Sequence, residues 1–178
     1  DYTEEMLEKA KENTKEYQSQ IEFYRMDAQK LEFENNQFDV VISRNLTWNL
    51  ENPVQAYKEW FRVLKTGGIL LNFDAHWYGY LYDEEKRMAY EKDRENVERN
   101  QLDDHYLCTD IDRMEEIAKK VPLSAKNRPG WDVEVLKEIG FTEIRTDESI
   151  WQSVWSEEER LNYASTPMFL VSGQKGEN

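Results

Sequence analysis

Three short polar runs each follow an apolar, strand-like stretch of this sequence: Asp27-Ala28, Ser43-Arg44-Asn45 and Asp74-Ala75-His76. Ligands of open α/β sheets bind outside the carboxyl ends of the strands, so these runs would line one crevice. Asp27 reads either as a ligand contact or as the cap of the turn after it, and Arg44 either as a ligand contact or as half of a surface ion pair. His76 titrates near neutrality and is the best candidate for a general base, with a hydrogen-bonded structural histidine as the alternative. Downstream, Tyr78, Tyr80, Tyr82, His105, Tyr106 and Trp131 would build either an aromatic ligand pocket or a small core of their own. Walker, CxxC, HExxH and GxSxG patterns are absent. The 2 histidines are too few for a histidine-built metal site and no EF-hand spacing occurs, so no metal is expected. Cys108 reads as an inert structural thiol.

The elements that would position these residues follow from periodicity and caps. Thr3 starts an amphipathic helix to about Tyr17, with Met6, Leu7, Ala10, Thr14 and Tyr17 on one face. Residues 21–27 alternate as a strand and residues 38–43 form a short buried strand, separated by a turn over 34–37. Asn52 caps a helix over 53–65 with Pro53 at its first position, Thr66-Gly67-Gly68 ends it, and residues 69–73 form another buried strand. Between residues 76 and 130 the chain turns polar and helical, with helices over 83–100 and 109–120 and too little apolar face for a separate domain; a helical insertion or lid is expected. Regular order returns over 131–178, with a helix over 132–139 stopped by Gly140, strands over 141–145 and 168–174, and a capping box at Ser156-x-x-Glu159 between them.

The 178 residues include 23 Lys and Arg against 37 Asp and Glu, a formal net charge of -14. With 39% hydrophobic and 13% aromatic residues, the chain has apolar area for a real core and is not a disordered acidic tail. Without a Lys/Arg stripe it is not expected to grip nucleic acid or an anionic membrane. No apolar run approaches the roughly 20 residues of a membrane span, and no signal peptide is visible, so a cytoplasmic location is expected. The sequence opens on Asp1-Tyr2-Thr3 rather than Met, which suggests that this is not the native start.

Four pieces in order, DYTEEML at 1–7, RMDA at 25–28, FDVVISR at 38–44 and RVLKTGG at 62–68, closely resemble the class I S-adenosylmethionine-dependent methyltransferases. The nearest flavour is the small-molecule enzymes of ubiquinone and menaquinone biosynthesis. The likeness covers most of residues 1–75 and returns at 136–145 and 169–174. It implies an α/β fold with a Rossmann-like, doubly wound, mostly parallel sheet, here N-terminally incomplete. The family's first strand and Gly-rich loop would lie upstream of Asp1, with a truncated cofactor core over 1–75, a lid over 76–130 and the rest of the core over 131–178.

The resemblance further implies S-adenosylmethionine as cofactor and a small-molecule methyl acceptor. Asp1 would take the ribose hydroxyls and Met6 would pack near the adenine. Asp27 would accept from the adenine amino group and the Ala28 N–H would serve a ring nitrogen. Ser43, Arg44 and Asn45 would lie beside the methionine part, with Trp48, unless buried under the lid, and Asn49 facing the acceptor; if the aromatic residues form a pocket rather than a core of the lid, Tyr78, Tyr106 and Trp131 would line it. Lacking the Gly-rich loop, the chain by itself would bind the cofactor weakly and be impaired in catalysis; the alternative is a non-catalytic binding module keeping a partial methyltransferase fold. The family strand order also separates residues 21–26 from 38–43 by two strands, roughly 14 Å at three strand spacings. That gap would be filled by further polypeptide or by a neighbouring chain in a homodimer or strand-swapped assembly.

Overall fold

A computed structural model of the chain describes residues 1–107 and 109–177; Cys108 lies outside the described residues. Four strands, β1 (Phe38–Arg44), β2 (Leu64–Asp74), β3 (Phe141–Asp147) and β4 (Phe169–Lys175), form one sheet in the order β1-β2-β4-β3. β1 and β2 are parallel, and β4 runs antiparallel to both β2 and β3, so three of the four strands point the same way. Parallel neighbours need a crossover, and α2 (Pro53–Val63) supplies it between β1 and β2. Its start is set locally: the Asn52 side chain accepts from the Gln55 N–H at 3.0 Å and Pro53 needs no partner at the first turn. α5 (Gly130–Ile139) precedes β3 and ends at Gly140, whose φ of 113° only glycine adopts without strain.

One face of the sheet is packed. Leu70 of β2, Phe141 of β3 and Phe169 and Val171 of β4 meet Ala56, Tyr57 and Trp60 of α2 and Val135 and Leu136 of α5 in a single core. The opposite face carries Val40, Ile42, Ile69, Leu71, Phe73 and Leu170, of which Val40, Ile42 and Ile69 are exposed.

Two expectations need correction. Residues 21–26 form no strand of the sheet and share no ladder with β1. They run extended and meet Asp1 instead, whose amino group donates to the Tyr24 carbonyl at 3.2 Å and whose carbonyl accepts from Met26 N–H at 3.0 Å. An alternating pattern becomes a strand only where a partner completes the ladder, and here Asp1 makes just one rung. Second, Thr66-Gly67-Gly68 does not terminate a helix, because α2 stops at Val63 and these residues lie inside β2. The pairing of β1 with β2 shifts register there, between Phe38 and Val40, and a Cβ on Gly68 would meet the Lys65 carbonyl at 2.8 Å. The glycines serve a bulge.

α1 (Glu4–Asn13) has its Thr3 cap but buries no residue. After β2, α3 (Glu84–Arg99) and α4 (Ile111–Ala118) gather around a second, aromatic core of Tyr78, Tyr80, Tyr90 and Tyr106. The short helices α6 (Trp151–Val154) and α7 (Glu157–Asn162) follow β3, and Ser156 with Glu159 closes the capping box at α7.

Candidate active site

Two cavities open beside the carboxyl end of β1. The first is a groove of about 360 Å³ lined by Asp1, Asp27, Ala28, Ser43 and Arg44, together with Tyr2, Met26, Leu46 and Leu50. Five of the seven residues assigned to the cofactor by resemblance therefore line one groove. Ser43 is buried there and its Oγ has no hydrogen-bond partner among the described residues, a polar atom left for a ligand. Asp27 also holds its own turn: its Oδ1 accepts from the Gln29 N–H at 2.9 Å. Asp1 Oδ1 accepts from the Tyr2 N–H at 2.6 Å, and Arg44 reaches Glu159 at 3.7 Å. Met6 lies outside the groove lining and is 57% exposed.

Asn45, with φ 53° in the left-handed region, turns the chain from the groove toward the second cavity. That cavity, of about 320 Å³, is lined by Asn45, Trp48, Trp77, Tyr78, His105, Tyr106 and Tyr163 with Thr109 and Met114. Trp48 and Tyr78 pack with ring centroids 5.3 Å apart, and burial pushes the Tyr78 phenol up to about 12, so it stays protonated as a donor. The aromatic residues thus serve both roles: Tyr80 and Tyr90 stack at 4.1 Å inside the small core, while Tyr78 and Tyr106 belong to the core and also face the cavity. Asn49 is exposed and outside this lining, and Trp131 packs toward Tyr57 in the sheet core instead.

His76 and Asp74 sit elsewhere than the crevice. His76 Nε2 lies 2.9 Å from the Ser124 carbonyl, so it is the protonated nitrogen, and Nδ1 faces Lys86 Nζ at 3.3 Å. Burial, helped by Lys86, holds its pKa below the ordinary value despite the Ser124 hydrogen bond. It lines neither the groove nor the aromatic cavity. Asp74 is fully buried, and its Oδ2 accepts from Arg128 Nη1 at 2.9 Å, from the Trp48 N–H at 2.9 Å and from the Thr47 hydroxyl. Arg128 also forks onto Asp132 at 2.9 and 2.8 Å, and Tyr57 donates to Asp132 at 2.6 Å while accepting from Asn72 at 2.9 Å. The two carboxylates raise the Arg128 pKa against the lowering by burial, and burial with Asp132 beside it raises that of Tyr57 well above the ordinary phenol. This buried cluster ties β2 to α2, α5 and the turn that carries Trp48.

The comparisons with known proteins meet this geometry in its N-terminal part. Residues 1–72 match the family model of the methyltransferase domain. The chain carries a class I methyltransferase fold. A demethylmenaquinone methyltransferase of Leptospira interrogans is 44% identical to it over 78 residues, 42% of this chain and 31% of that protein. This methyltransferase-fold chain thus spans about a third of the length of the curated relatives it matches. Among solved structures, a Bacillus halodurans C-125 protein assigned as a methyltransferase superposes with a TM-score of 0.59 at 18% identity, covering 99% of this chain and 81% of that one. A phosphoethanolamine N-methyltransferase of Haemonchus contortus, solved with phosphomonomethylethanolamine and S-adenosylhomocysteine, gives 0.58 at 18% identity over 97% of this chain and 41% of that one.

The sequence reading missed the Arg128 cluster and the roles of Glu158 and Tyr163 around His105. A warning was present for Asp74, since a lone carboxylate ending a buried strand needs a cation; nothing local named Arg128 as that cation.

Proposed function

We propose that the protein transfers a methyl group from S-adenosylmethionine to a small-molecule acceptor, with the cofactor in the groove and the acceptor in the aromatic cavity. The observation that carries this reading is that consecutive residues line the two cavities, Ser43 and Arg44 the groove and Asn45 the aromatic cavity, with the buried Ser43 Oγ unpartnered among the described residues. When bound, S-adenosylmethionine supplies a methyl on a positively charged sulfonium, which departs as a neutral thioether on in-line attack. The chain's own residues then act mainly by positioning, the largest saving available to a displacement at an already activated carbon. Asp1 and Asp27 accept from the ribose hydroxyls and the adenine amino group, Ser43 and Arg44 border the methionine part, and Trp48 and Tyr78 wall the acceptor off from water.

Ligand-observed NMR tests the reading. Saturation transfer from the protein to S-adenosylhomocysteine is expected on the adenine and ribose protons, and is lost in Asp27→Ala. Absence of transfer to any ligand proton defeats the reading. A second reading, a non-catalytic binding module, draws on the engagement of both Asp1 and Asp27 with backbone N–H groups of their own turns. It predicts no transfer and an unchanged spectrum for Asp27→Ala.

A further inference from the structure

In the wall of the aromatic cavity, His105 stands between a phenol and a carboxylate. Its Nε2 lies 3.2 Å from Glu158 Oε1 and its Nδ1 2.9 Å from the Tyr163 hydroxyl, and both His105 and Tyr163 line the cavity beside Trp48. A carboxylate can only accept, so in the neutral imidazole Nε2 carries the proton and Nδ1 accepts from the Tyr163 O–H. The arrangement is a proton relay aimed from the cavity to the surface, since the Glu158 side chain is 46% exposed.

The relay is also held in place. The Asn162 side chain accepts from the His105 N–H at 3.0 Å and donates to the Asp103 carbonyl at 3.1 Å and the Glu158 carbonyl at 3.3 Å, fastening the loop bearing His105 to α7, which bears Glu158. Arg94 grips the same loop through Asp104 at 2.5 Å and donates to the Asn162 carbonyl. A buried asparagine with this many bonds to backbone restricts where the imidazole can sit. Trp77 adds an indole N–H, buried along the cavity with no partner among the described residues.

We propose that this cavity takes a small hydroxy-aromatic acceptor and that Tyr163, His105 and Glu158 remove its proton. The assignment rests on the methyl-transfer reading above. The acceptor O–H gives its proton to the Tyr163 oxygen as Tyr163 passes its own to His105 Nδ1, leaving an imidazolium paired with Glu158. The freed oxygen lone pair forms the new O–CH₃ bond, the S–CH₃ bond breaks with its electron pair going to sulfur, and the proton remains on His105 until water takes it past Glu158. Flat rings of Trp48, Trp77, Tyr78 and Tyr106 suit a flat acceptor. A tertiary amine would have no proton to give, and a relay would serve it nothing.

The probe is 4-nitrophenol, whose phenolate absorbs in the visible. Bound to the full chain, it should ionise about one pH unit lower than in free solution, a tenfold preference for the phenolate over the phenol. His105→Gln and the conservative Tyr163→Phe should each abolish that shift while circular dichroism stays unchanged, and Glu158→Gln should reduce it. Failure of 4-nitrophenol to bind, ionisation unshifted in the unaltered chain, or a shift that survives both His105→Gln and Tyr163→Phe overturns the proposal. So does displacement of the probe by tetramethylammonium in preference to phenol, which would mark a cation cage. Should a variant fail to fold, the other two carry the test. The S-adenosylhomocysteine experiment reads the groove alone, so failure here with transfer there sinks the relay and leaves methyl transfer standing.

Discussion

The two faces of the sheet are built from similar residues and meet different surroundings. On one, Leu70, Phe141, Phe169 and Val171 lie beneath α2 and α5 in a closed core, with Asn72 and Asp74 drawn into the Arg128 cluster. On the other, Val40, Ile42, Ile69, Leu71 and Phe73 are as apolar and lie exposed or half-buried, while α1 buries nothing. Strands apolar on both faces are the pattern of a sheet covered on both sides. In this chain the free energy of packing is therefore concentrated on one face. The candidate groove lies at the carboxyl end of β1, lined by buried Ser43 of the packed face and exposed Ile42 of the open one. Substitutions should lose effect going outward from the Arg128 cluster to the rim and then to the open face.

The largest loss is expected at the centre. Arg128→Met leaves Asp74 and Asp132 buried without a cation, and removing one member of a buried ion cluster costs about 3–5 kcal/mol. Urea denaturation followed by circular dichroism measures it. Adding Asp74→Asn and Asp132→Asn to the same variant should recover much of the loss, because the cost lies in the stranded charges. A loss under about 1 kcal/mol for Arg128→Met alone would break the contrast, since it would mean that the packed face tolerates an uncompensated charge.

At the rim, function and stability should separate. Asp27→Ala is expected to weaken S-adenosylhomocysteine binding by about 1–3 kcal/mol, the cost of leaving donors without an acceptor, in an NMR titration. Its effect on unfolding should be smaller, because the Gln29 N–H that Asp27 caps can turn to water. Equal losses in both measurements would make Asp27 a turn cap alone.

How much of this was legible from the sequence depends on the distance over which the cause acts. Caps at Thr3, Asn52 and Ser156 and the stop at Gly140 are bonds within one turn, so residue types a few positions apart announced them. The extended run over 21–26 failed as a strand because its partner, not its own pattern, decides the matter. Gly67-Gly68 misled because the same dipeptide ends helices and makes bulges, and the choice is made by the Asp39 carbonyl across the ladder and the Lys65 carbonyl of the same strand. Within the site, only Ser43 and Arg44 end a strand of the sheet, while Asp1 and Asp27 reach the same groove from segments outside it. Asp74 with Arg128 and His105 with Glu158 are 54 and 53 residues apart in the chain, and no periodic signal connects such pairs.

A smaller, pH-dependent effect should appear at His76, beside the Arg128 cluster. Its folded pKa is lowered from 6.5, mainly by burial, so the folded state disfavours the imidazolium. Above the unfolded value both states are neutral and nothing is lost. As pH falls from about 6.5 through the lowered folded value, the unfolded chain takes up the proton first and stability declines. His76→Gln should flatten that part of the stability curve in urea titrations run at successive pH values. An unchanged slope would place the acid sensitivity among the carboxylates instead.

The smallest effect tests the comparison most directly, because one chemical change can be made on each face. Val171 is wholly buried in β4 and Val40 is 46% exposed on β1. Valine and threonine have nearly the same shape, so Val→Thr introduces a hydroxyl without leaving a cavity. At Val171 the surroundings are the apolar core and, directly across the ladder, Asn72, so a hydroxyl that does not reach the Asn72 side-chain oxygen costs about 1–3 kcal/mol. At Val40 the hydroxyl remains hydrated, β-propensity hardly changes between two β-branched residues, and the change should stay within about 0.5 kcal/mol. Paired urea denaturation of Val171→Thr and Val40→Thr gives the difference with the chemistry cancelled. Equal losses would mean that the Val40 face is covered in solution, by a second copy of the chain or by its own N-terminal helix. Repeating the pair at several protein concentrations then separates the two, since only covering by a second copy makes the Val40→Thr loss depend on concentration.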